Sequence, residues 1–205
     1  MDAGVRRASW IDAWRDLGVA APDEVLLAKL LAHYSEPHRA YHTLQHLDEC
    51  LAGLARERSH AERPAEIALA LWFHDAIYDV HRRDNEARSA DWAQAALLAA
   101  GVAGDAARRV HALVMATRHH AQPEDADAQL LVDIDLSILG APAARFAEYE
   151  RQIRAEYAHV PPDVFELRRR EILGRFLARD PLYLSASIRA KLEAQARINL
   201  QQAIG

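Results

Sequence analysis

Apolar side chains recur every three or four positions along most of this chain, the spacing that lines one face of an α-helix. Trp10, Trp14 and Leu17 mark a first helix, which Gly18 ends. Pro22-Asp23-Glu24 opens a second, with Leu26, Leu27, Leu30, Leu31 and Tyr34 on its buried side, and Glu36-Pro37 breaks it. A third is predicted from about Thr43 to Arg58 on the stripe Leu47, Cys50, Leu51 and Leu54. The fourth follows Pro64 and carries Ile67, Leu71, Phe73 and Ile77, the fifth runs from Asp84 to Gly101, and the sixth from Asp105 to about His120. The run Leu130–Leu136 has the composition of a strand, but its helical surroundings favour a short buried helix or turn. Helices over Pro142–Ala158, after Pro161-Pro162, and over Ser185–Ile204 complete the pattern. The expectation is an all-α fold, a single multi-helix bundle over residues 1–205 with about nine helices. Its chemistry is expected within about 39–140, with a C-terminal helical extension over about 142–205.

Composition narrows the function more than the fold. With 205 residues the chain is long enough to bury a core without covalent staples. A formal charge of −5 offers no basic footprint, so nucleic acid and anionic membrane are not expected partners. Cys50 is the one cysteine, which excludes an intramolecular disulfide and a four-cysteine zinc site. Met1–Arg7 is polar with no apolar leader behind it. The longest apolar runs fall well short of the roughly 20 residues a spanning helix needs, so a cytoplasmic location is expected. Histidine is the outlier: the chain holds 11, and histidine is the commonest metal ligand.

Four stretches place those histidines beside acids. Tyr41-His42-Thr43-Leu44-Gln45-His46 sets two histidines four apart, predicting one helical face for both. In Leu71-Trp72-Phe73-His74-Asp75, His74 continues the stripe of Ile67, Leu71 and Tyr78 and is driven inward. Thr117-Arg118-His119-His120 ends the sixth helix, with His120 the better placed of its two histidines to face inward. Leu131-Val132-Asp133-Ile134-Asp135-Leu136 holds two acids among aliphatics. A carboxylate in apolar surroundings is costly unless paired or bound to a cation. A divalent ion held by imidazole and carboxylate satisfies these groups together, and Mn, Mg, Fe, Co or Zn suits such a donor set, as one ion or two.

The order His … His-Asp … Asp resembles the HD superfamily of metal-dependent phosphohydrolases, and within it a bacterial group of predicted HD phosphohydrolases. The resemblance covers most of the chain: Tyr41-His42, Ala70–Asp79, Asp84–Ala90, Leu131–Gly140, Tyr149–Tyr157 and Arg170–Tyr183. It implies His46, His74, Asp75 and one of Asp133 and Asp135 as metal ligands. Asp135 is preferred for its context, Asp135-Leu136-Ser137-Ile138-Leu139-Gly140. Tyr41-His42-x-x-x-His46 also looks like a segment of cyclic-nucleotide phosphodiesterases whose first histidine is the catalytic acid, which makes His42 the acid candidate; Thr43 stands where those enzymes carry Asn. Ala76-Ile77-Tyr78 after the His-Asp pair departs from the cyclic-di-nucleotide phosphodiesterases and argues against cyclic-di-GMP as substrate.

The implied activity is hydrolysis of a small phosphate ester, monoester or diester and nucleotide-like, by a metal-activated water. Asp79, Asn85 and Glu86 are candidates to orient ligands or water, although Asp84-Asn85-Glu86 also reads as a helix start. His120 and Asp133 are further candidates near metal or substrate. Arg154 is the one C-terminal arginine expected at a phosphate, although Glu150 at four-residue spacing offers it an intrahelical partner. Aromatic spacing around Trp10/Trp14 and Phe165/Ile172/Phe176 predicts core, or the surface of a homodimer. Two other readings use the same residues: a di-iron oxygenase-type HD protein, and a non-catalytic metal- or nucleotide-binding sensor.

Overall fold

The computed structural model describes residues 3–118 and 123–205, and among them it holds ten α-helices and no strand. They are α1 (Ala3–Asp16), α2 (Glu24–His33), α3 (Leu44–Glu57), α4 (Pro64–Phe73), α5 (Asn85–Ala99), α6 (Gly104–Ala116), α7 (Ala126–Asp135), α8 (Ala143–Glu156), α9 (Pro162–Leu177) and α10 (Ala186–Ile204). The all-α expectation holds, and Leu130–Leu136 resolves into the end of α7 followed by a 3₁₀ turn over Leu136–Gly140. Among the described residues no helix is long and apolar enough to cross a membrane. The chain forms two compact units, Met1–Val132 and Asp133–Gly205, and α7 runs across the boundary.

The first unit is organised around α4. Every residue of that helix after Pro64 is buried, and α1, α3, α5 and α6 all pack on it. Pro64 fits its first position because the missing N–H has no helical partner there. Trp10 of α1 lies edge-on to Trp14 at 5.3 Å and to Trp72 of α4 at 5.2 Å. Helix α3 is anchored to α1 by a bidentate pair, Arg6 Nε and Nη2 to the two oxygens of buried Asp48 at 2.6 and 2.7 Å. Helices α1 and α5 both end on glycines in the left-handed region, Gly18 (φ 87°) and Gly101 (φ 82°). The amides after them reach back to Trp14 and Leu97 carbonyls at 3.0 Å, closing each helix with a six-to-one bond.

In the second unit α10 packs on α9 and on the 3₁₀ turn. Asn199 Nδ2 donates to the carbonyls of Leu139 and Ala141 at 2.8 Å, and Tyr183 Oη donates to the Leu136 carbonyl at 3.1 Å. Backbones approach so closely here that a Cβ on Gly140 would lie 2.7 Å from Leu192 Cβ.

Candidate metal centre

Two helix ends in the first unit deliver the site. Thr43 takes the N-cap of α3, its hydroxyl accepting from the Gln45 amide at 3.3 Å, so the helix starts at Leu44 and His46 sits in its first turn. This corrects the expectation that His42 and His46 share a helical face: His42 precedes the cap. The fourth helix likewise ends earlier than its apolar stripe predicts. It stops at Phe73, with His74 as C-cap, and Asp75 and Ile77 lie beyond it.

Arg39 explains the early stop. Its side chain is 0% exposed and donates to three carbonyls, His42 at 3.1 Å, Asp75 at 2.6 Å and Ala76 at 3.0 Å. The carbonyls of Asp75 and Ala76 are thereby satisfied without a further helical turn. Its guanidinium also lies 5.4 Å from the centroids of Tyr34 and Tyr78, within cation–π range. On the far side of the loop, the Ile77 amide donates to buried Ser89 Oγ at 3.0 Å, and Asn85 Nδ2 donates to the Asp79 carbonyl at 2.9 Å. Asp79 Oδ1 accepts from the His81 amide at 2.9 Å, and Glu86 stands in the first turn of α5. Asp79, Asn85 and Glu86 therefore belong to the loop and helix start that follow Asp75 in the chain.

His46 and His74 are 2% and 1% exposed, and their Nε2 atoms are 3.0 Å apart. Asp75 Oδ2 is 3.0 Å from His74 Nε2 and 3.4 Å from His46 Nε2. His74 Nδ1 lies 2.8 Å from the Leu71 carbonyl, which can only accept, so Nδ1 carries a proton and Nε2 is the nitrogen left for a ligand. His74 Nε2 is therefore the ring nitrogen that faces Asp75 Oδ2 and His46 Nε2. With Nδ1 held by the Leu71 carbonyl, the ring is oriented as a metal-ligating histidine would be.

The dimensions fit as well. Ligands about 2.1 Å from an ion stand about 3.0 Å apart in neighbouring positions of a six-coordinate shell and about 3.4 Å apart in a four-coordinate one. The three measured edges fall at those separations.

Within the first unit, His46, Cys50 and His74 also form a buried group whose ligating atoms lie within 4.8 Å of one another. Asp135, the last residue of α7, belongs to the second unit. This His/Cys/His group could hold a metal ion, and its two imidazoles are the ones that Asp75 touches. Sequence reasoning named His46, His74 and Asp135 but read Cys50 only as part of the apolar stripe of α3. Its position four residues after His46, one turn along the same helix, is the signal that could have found it.

His42 is half-buried, stacked on the Tyr78 ring at 4.2 Å and 6.0 Å from the His46 ring. Burial pushes the Asp75 carboxyl up, but the His74 and His42 imidazoles and bonds from His46 and His74 outweigh it, holding the carboxyl well below the usual range. Burial also pushes the Tyr34 phenol up to about 12; its hydroxyl lies 3.5 Å from the same Leu71 carbonyl that His74 uses.

The remaining candidates lie elsewhere. Asp133, 1% exposed, accepts from the Ser185 amide at 2.5 Å, at the start of α10. Arg154 donates to the carbonyls of Tyr157 at 2.6 Å and Val160 at 3.1 Å and stacks over Phe165. It is thus occupied in closing the end of α8, while Glu150 pairs with Arg169 instead. His120, with His119, lies outside the described residues. No protein-family model, curated protein or solved structure matches the chain.

Proposed function

We propose that this protein is a metal-dependent phosphohydrolase of the HD type, acting on a small phosphate ester of nucleotide-like chemistry. The observation that carries the reading is the convergence of His46 Nε2, His74 Nε2 and Asp75 Oδ2. The His-Asp dipeptide that names the superfamily supplies two of those three atoms.

A divalent ion bound there supplies charge for a phosphoryl oxygen and for the attacking water. His46, His74 and Asp75 would be its ligands, with Asp135 the further ligand that the family resemblance implies, drawn from Mn, Mg, Fe, Co or Zn chemistry. His42 is the proton donor to the leaving oxygen. It is near the ligands, partly open to solvent, and held against Tyr78 by stacking. Arg39 acts through the backbone, as a positioning residue that fixes both the His42 and the Asp75 carbonyls. Tyr78 presents an aromatic face beside His42, suited to a planar base.

The test is a panel of phosphomonoesters, phosphodiesters and nucleoside phosphates offered to the metal-loaded protein. Hydrolysis that a chelator abolishes and that is missing in His74→Ala and Asp75→Ala variants is the expected result. A fully metal-loaded protein that cleaves none of the panel contradicts the assignment.

A further inference from the structure

We propose that Glu36 is a positioning residue of the metal centre, acting through Arg39: its charge holds the buried guanidinium on the backbone of the loop that carries Asp75. The inference deepens the metal-centre reading and rests on it.

Glu36 and Arg39 stand in the turn between α2 and α3. The Glu36 amide closes it on the His33 carbonyl at 3.2 Å, and the Arg39 amide on the Glu36 carbonyl at 3.1 Å. Arg39 Nε donates to Glu36 Oε2 at 3.0 Å, and Nη2 lies 3.0 Å from the same oxygen. The other oxygen, Oε1, is 3.3 Å from Nδ1 of His33, the last residue of α2. The carboxylate is thus fixed from α2 on one side and grips Arg39 on the other. His38 extends the hold, its Nε2 donating to the Tyr78 carbonyl at 2.9 Å. One turn of chain therefore reaches the carbonyls of Asp75, Ala76 and Tyr78.

Charge decides which member of the turn matters most. The carbonyls that Arg39 serves are neutral, so they satisfy its N–H groups without compensating its charge. A buried cation stripped of its counter-ion is strongly unfavourable, and the Arg39 side chain is fully buried. Among the described residues Glu36 is the one acid in ion-pair contact with it. Without that carboxylate the guanidinium is favoured to turn toward water, and the Asp75 and Ala76 carbonyls lose their donor. The residue so released is the one whose Oδ2 lies 3.0 Å from His74 Nε2. Groups that orient metal ligands indirectly typically carry about 10–100-fold in metal affinity.

Cobalt(II) titration of the full chain by calorimetry, beside circular dichroism and denaturant unfolding, tests this. Glu36→Gln keeps the shape of a side chain that is 33% exposed, leaves an oxygen that can still accept from Arg39, and removes only the charge. The expected result is native helical content with cobalt affinity about 10–100-fold lower. Adding Glu36→Gln to Arg39→Lys should cost little beyond Arg39→Lys alone, because a lysine has already given up the planar fork that Glu36 holds in place. A lowered unfolding midpoint with unchanged cobalt affinity makes Glu36 a structural residue and overturns the proposal. So do losses of affinity that add in full in the double variant. Either outcome leaves the metal centre standing, whereas a wild-type chain that binds no cobalt overturns both.

Discussion

Arg39 donates to the Asp75 backbone carbonyl at 2.6 Å, tying the turn before α3 to the turn after α4. The same guanidinium holds the His42 and Ala76 carbonyls, so one buried cation sets the positions of two candidate functional residues. Removing it leaves three carbonyls to find other partners in a largely dry setting, each costing about 1–3 kcal/mol when unsatisfied. Arg39→Met should therefore lose several kcal/mol of stability, and Arg39→Lys less. Because Lys lacks the planar fork, it should still weaken metal binding by about 10–100-fold. Denaturant unfolding and metal titration on the Lys variant separate the two effects; unchanged metal affinity in a folded Arg39→Lys protein contradicts the positioning role.

Proton donation and ion binding reside on different histidines. His42→Ala should keep bound metal while its turnover falls by about 10²–10⁴-fold, the usual worth of a general acid. His46→Ala should lose the ion itself. The discriminating reading is metal content beside kcat for each variant, and loss of metal from His42→Ala would make His42 a ligand instead.

In the second unit, Gly140 packs against the backbone of α10 with no room for a methyl group; a Cβ would also lie 2.8 Å from the Leu192 carbonyl oxygen. Gly140→Ala should destabilise by about 1–3 kcal/mol, as overpacking typically does. Thermal unfolding of the variant shows it as a lowered Tm, and an unchanged Tm would mean that α10 shifts freely.

Glu193 accepts from the Leu182 and Tyr183 amides at 3.1 and 3.2 Å and from Arg197 Nε at 2.9 Å. Burial alone raises its pKa, but these donors outweigh burial and leave it below the ordinary glutamate value. The ionised form is thus favoured by folding. Its stabilising effect should be fully present above the unfolded value of about 4.3 and be lost as pH falls through the folded one. The stability gap between wild type and Glu193→Gln, followed by denaturant midpoints, should close on acidification; a gap that widens has the wrong sign.

Periodicity was enough to place the helices, though not the end of α4 at Phe73 or the start of α3 after His42. The stripe Leu47, Leu51, Leu54 marks α3, and Pro64 and Gly101 punctuate α4 and α5 where the structure does. Residues whose role depends on backbone partners distant in sequence were not legible. Arg39 reads as an ordinary loop arginine, since the carbonyls it serves at Asp75 and Ala76 lie 36 and 37 positions away. Cys50 reads as apolar because a small buried thiol fits a hydrophobic stripe and a ligand set equally well. His46 and His74 were visible through their acidic and apolar surroundings. That His42 lies before the helix was hidden by Thr43, which serves either as a helical residue or as its cap.

The most direct test is metal content, measured by elemental analysis on the full chain after loading and exhaustive dialysis, in wild type and His74→Ala side by side. Bound divalent metal in the wild type, one ion or two per chain, with almost none in the folded variant, is the predicted result. Equal metal in both proteins, or none in the wild type, contradicts a metal centre built on His46, His74 and Asp75.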